Sequence, residues 1–87
     1  MSEEKQEIPR EVMVDKFIEL ANEFSKTESK ERVGAAIMYA ASRYNAFEAN
    51  TKSDNLIKDK EDALMWYSRE YTRMLNANMD ELIEMKS

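Results

Sequence analysis

Val33 to Phe47 reads VGAAIMYAASRYNAF, and its only charged residue is Arg43. Val33, Ala36, Ile37, Ala40, Tyr44 and Phe47 recur at spacings of three and four, which places them on one stripe of a helix. The opposite side carries Gly34, Ala35, Met38, Ser42, Asn45, Ala46 and Ala49, again without a charge. A helix with little charge all round has neighbours all round. Ser29 or Thr27 supplies a side-chain oxygen to cap its start. This stretch fixes a central helix over about 30–50, and the rest of the chain has to be organised around it.

On its N-terminal side, Pro9 suits the first turn of a helix, where its missing N–H would be unpaired anyway. Met13, Phe17, Leu20, Ala21 and Phe24 then follow on one stripe, until Ser25–Lys30 breaks the pattern. That predicts helix one over about 9–25, with 1–8 a flexible polar N-terminal segment. On the C-terminal side, the polar link Asn50–Asp54 leads into Ile57, Leu64, Tyr67, Tyr71, Leu75 and Leu82. Asn78 with Glu81 three residues on has the form of a capping box. Two readings stand: helix three over 54–77 with a short fourth helix over 78–86, or one helix to the end. One glycine and one proline in 87 residues leave too little turn-forming material for a many-stranded sheet. The fold class is therefore all-α, a three-helix bundle in a single domain, 1–87.

Composition narrows the function. A folded monomer of 10.2 kDa should expose roughly 5,300 Å² against about 14,800 Å² unfolded, enough burial for one modest core. The chain has no cysteine and no histidine, which removes thiol chemistry, the Ser-His-Asp and Cys-His arrangements and most zinc sites. No catalytic, cofactor-binding or metal-binding residue is assigned. The acidic groups at Asp59–Asp62 and Asp80–Glu84 lie on charged helix surfaces, not in a water-poor cleft of the kind acid–base work needs. A net charge of −5 argues against a nucleic-acid ligand. The longest apolar run, Ala35–Ala41, is far short of the ~20 residues of a membrane span. The opening MSEEKQE is unlike a signal peptide, so the expected location is the cytoplasm.

Interaction surfaces are what remain. Gly34, Ala35, Met38, Ser42, Asn45, Ala46 and Ala49 would let another backbone approach closely, and an isologous homodimer through this face is the simplest closed solution. Arg43 needs an anion or an escape to the edge, and Glu19 or Glu23 of helix one is the expected structural ion-pair partner. Trp66 falls off the apolar stripe beside Arg69 and Arg73, a composition typical of binding hot spots. Glu11, Asp15, Glu19 and Glu23 form a ridge best read as a solvated face, at a like-charge cost of about 1 kcal/mol in total.

The segments FIELAN (Phe17–Asn22), AIMYAASRYNAF (Ala36–Phe47) and YTRMLNANMDELI (Tyr71–Ile83) resemble a family of small bacterial helical proteins, domain of unknown function 3144. The resemblance implies an all-helical bacterial protein and brings no catalytic residues with it. The expected function is a non-enzymatic protein–protein interaction module, homodimeric through helix two, with an unidentified protein partner and no nucleic acid, membrane or metal. Two rivals come from other classes. One is a bundle whose Tyr39, Tyr44, Tyr67 and Tyr71 enclose a small apolar ligand; the other is an acidic mimic that occupies a basic nucleic-acid-handling protein.

Overall fold

The computed structural model describes residues 7–86. They form α1 (Arg10–Phe24), α2 (Lys30–Lys52) and α3 (Leu56–Lys86), with no strand among the described residues. The expected flexible segment 1–8 lies outside the described residues except for Glu7 and Ile8, which have no regular structure.

Each helix start has a local cause. Pro9 is the residue before α1, with φ −58°, and its carbonyl accepts from the Val12 and Met13 N–H groups at 3.0 and 3.3 Å. It caps with its backbone, having no side-chain oxygen to offer. Ser29 caps α2: the Arg32 N–H donates to Ser29 Oγ at 3.2 Å and the Val33 N–H to the Ser29 carbonyl at 3.1 Å. Asn55 caps α3, its Oδ1 accepting from the Lys58 N–H at 3.3 Å. Ser53 ties the same turn, accepting from the Asn55 N–H at 3.0 Å and donating to Asp59 Oδ2 at 2.7 Å.

α3 runs unbroken through Asn76–Asn78 to Lys86, so there is no fourth helix at 78–86. The Asn78–Glu81 spacing is a capping box in form only. Asparagine inside a helix costs about 0.7 kcal/mol relative to alanine, and Met79–Lys86 contains no glycine or proline to add to that.

The chain divides into two units, one ending at Tyr44 and the next beginning at Asn45. In the first, Val33 at 7% exposure is the single buried residue among the described ones, and Ala21 is half-buried. Phe17, at the centre of the α1 stripe, stays 73% exposed. In the second unit the α2 residues Asn45, Glu48 and Ala49 are half-buried, as are Leu56, Asp59, Ala63, Tyr67 and Glu70 of α3. The covered face of α3 is thus rotated away from most of the apolar stripe, whose first member Ile57 is 92% exposed. Small side chains on α2 explain this in part: they admit close approach but cover little area.

Two substitutions check these boundaries by urea unfolding. Ser29→Ala should cost about 1 kcal/mol, the usual loss of a side-chain cap. Asn76→Ala should stabilise by about half a kcal/mol if α3 is continuous, whereas at a true helix end, where asparagine is favoured, it would destabilise.

Candidate functional site

The most elaborated polar site is centred on Glu48, at the α2–α3 contact of the second unit. Its Oε1 accepts from Asn45 Nδ2 at 3.1 Å and from the Tyr67 hydroxyl at 3.0 Å. Its Oε2 accepts from Lys52 Nζ at 3.4 Å. Asn45, Glu48 and Lys52 sit three and four apart on α2, so one turn of helix delivers all three to the same place. Tyr67 reaches them from α3 and packs edge-on against Trp66, with ring centroids 5.0 Å apart. The Tyr67 hydrogen bond, then that of Asn45, holds the Glu48 carboxyl below its ordinary value, with Lys52 adding to this and partial burial opposing it. Partial burial and then the bond to Glu48 push the Tyr67 phenol up.

The small face of α2 is divided. Asn45 and Ala49, at its C-terminal end, are half-buried, and Asn45 is engaged with Glu48. Gly34, Ala35, Met38, Ser42 and Ala46 are exposed. Ser42 Oγ donates to the Tyr39 carbonyl at 2.8 Å, leaving no free hydroxyl proton on this face. A Cβ placed on Gly34 would meet nothing within 4 Å, and no glycine has positive φ.

Arg43 is exposed and, among the described residues, pairs with neither Glu19 nor Glu23. Those carboxylates pair locally, with Lys16 at 3.8 Å and Lys26 at 3.1 Å. An exposed guanidinium stays hydrated and needs no partner. Every ion pair among the described residues joins positions three or four apart, so none links two helices, and each is worth about 0–1 kcal/mol.

Trp66 is exposed, as are Arg69 and Arg73. Arg73 Nη2 donates to Glu70 Oε1 at 2.7 Å, and that bond raises the guanidinium's proton affinity. Arg69 and Arg73 line a shallow open depression with Ser68 and Thr72. Another open depression on α1 is lined by Lys16, Glu19, Leu20, Asn22, Glu23 and Lys26. Tyr39, Tyr44 and Tyr71 are exposed and do not line an enclosed space. Among the described residues no cluster of three or more acidic side chains is arranged to hold a metal ion, and no helix is long and apolar enough to cross a membrane.

A family model described as protein of unknown function (DUF3144) matches residues 12–83. The chain belongs to the DUF3144 family. The DUF3144 span contains the whole of α2, the Glu48–Tyr67 contact, Gly34 and the Trp66–Arg69–Arg73 patch, so these features lie within the family's own region. No curated protein matches the chain, and no solved structure does. DUF3144 membership names no activity.

The Glu48 signal was available in the spacing Asn45, Glu48, Lys52, but a lone glutamate after a weakly charged stretch reads as a solvated end. Its contact makes a pH prediction with two signs. Glu48 is lowered, so its contribution to stability is present above the carboxyl's unfolded value and is lost as pH falls through the lower folded value. Tyr67 is raised, so its contribution is present below the phenol's unfolded value and is lost as pH rises through the higher folded value. The urea midpoint should therefore plateau between the two limbs. Tyr67→Phe should remove the alkaline limb due to this contact and shrink the acid one; an unchanged profile would show that the bond does not persist in solution.

Proposed function

We propose that this protein is a non-enzymatic interaction module that self-associates, with the small face of α2 at the contact. The observation that carries the reading is Gly34. Glycine inside a helix costs about 1 kcal/mol relative to alanine. Here neither positive φ nor any neighbour within 4 Å calls for it. Close approach by a helix of another molecule supplies the missing reason, and Ala35, Ser42 and Ala46 extend the same exposed small surface. A second copy closes such a contact by two-fold symmetry. The Trp66–Arg69–Arg73 patch is the surface proposed for a further protein. Exposure of Tyr39, Tyr44 and Tyr71 gives the ligand-enclosing alternative no support.

Light scattering over a concentration series tests this on the native chain, Gly34→Leu and Ala46→Glu. The native chain should approach twice 10.2 kDa. Each variant should weaken association by roughly tenfold or more, about 1.4 kcal/mol. A native chain that stays monomeric at every concentration would refute the reading.

A further inference from the structure

α3 carries an apolar pattern that its own contact with α2 leaves unused. From Ile57 to Met85 the positions at alternating spacings of four and three hold Ile57, Leu64, Tyr71, Leu75, Leu82 and Met85, all exposed. That is a heptad seam over four repeats, apolar at six of its nine positions, the spacing by which one helix packs lengthwise against another. Its phase differs from that of the half-buried face Leu56, Ala63 and Tyr67. α3 has 31 residues against 23 in α2, so even full overlap would leave the last two turns of α3 uncovered by it.

We infer that this seam is the site at which a second copy of the chain packs, α3 against α3 in antiparallel orientation. The inference rests on the self-association reading and adds a second contact surface to the small face of α2. Of the seam's three polar members, Glu61, Ser68 and Asn78, the charged one sets the orientation. A parallel pair would set Glu61 against Glu61 of the other copy, a like-charge contact within the seam. In the antiparallel register with Tyr71 opposite Leu75 of the second copy, Leu64 faces its Leu82 and Ser68 faces its Asn78. Two layers pair apolar with apolar and one pairs polar with polar, while Glu61 comes opposite Met85 and Ile57 lies beyond the overlap. The flanking positions agree. Met65 comes opposite Met79, and Met74 opposite Met74, side chains that are all exposed within one chain and suited to filling gaps beside a seam.

The absence of cysteine makes the test clean, because single engineered thiols react alone. Full-length Met74→Cys, treated with a short bis-maleimide, should become mostly covalent dimer. Leu64→Cys and Leu82→Cys should each stay monomeric in a denaturing gel when treated alone and cross-link when mixed. Leu75→Glu should move the mass from dimer to monomer while keeping its far-ultraviolet helical signal. Cross-linking of Leu64→Cys alone would mean a parallel pair and overturn the proposal. A dimer that survives Leu75→Glu, shows no Met74 cross-link and is split by Ala46→Glu would overturn the seam and leave self-association standing. A native chain that is monomeric throughout would refute both. Because Met74→Cys is a mild change, the proposal stays falsifiable even if Leu75→Glu fails to fold.

Discussion

Glu48 accepts a hydrogen bond from a tyrosine nineteen residues further along the chain, and among the described residues no other side-chain hydrogen bond joins two helices. A half-buried carboxylate needs donors, because a charge partly removed from water is costly unless it is hydrogen-bonded. Asn45 and Lys52 supply two from the same helix, and Tyr67 supplies the third across the gap. The third donor fixes the phase of α3. Once Tyr67 faces α2, Leu56, Ala63 and Glu70 face it too, while Ile57, Leu64 and Leu82 are turned aside. The short turn below, with Ser53 bridging the Asn55 N–H and Asp59, is consistent with that phase. A polar contact, rather than the apolar stripe, orients the second unit.

The helices themselves were legible because periodicity, caps and breakers are local. Of the two cap candidates, Ser29 and Thr27, Ser29 caps α2, and α1 and α2 begin or end within two residues of their expected limits. Two things were not legible. Asn78 and Glu81 have capping-box spacing, but spacing does not reveal whether the backbone leaves the helix, and here it does not. The phase of α3 was missed because a stripe is found by hydrophobicity, and the covered face includes Asp59 and Glu70. Nor does any local pattern in Glu48 announce that a distant phenol will donate to it. Of the candidate interaction residues, Asn45 and Ala49 proved partly occupied by the chain's own hairpin, while Gly34, Ala35, Met38, Ser42 and Ala46 remain open.

α3 consequently presents three separate surfaces. One meets α2 through Tyr67. A second carries the exposed heptad positions around Leu64, Tyr71 and Leu75. The third holds Trp66, Arg69 and Arg73, where the indole already rests edge-on against Tyr67. That last contact matters physically. A tryptophan braced by its neighbour loses less side-chain freedom on meeting a partner, which lowers the cost of ordering it. Helical phase separates the heptad seam from the Trp66 patch, so occupying one leaves the other accessible.

The short connections have a kinetic meaning. Five residues join α1 to α2, three join α2 to α3, and the longest-range side-chain hydrogen bond spans only nineteen positions. Helix formation takes about 0.1–1 μs, and closing a loop of this scale takes on the order of 10–100 ns. Local contacts of this kind place a chain among the fastest folders. Secondary structure and the Tyr67 contact would thus be complete within the time one molecule diffuses alone. A refolding phase whose rate rises with protein concentration would then report encounters between molecules, because chain topology sets no such dependence.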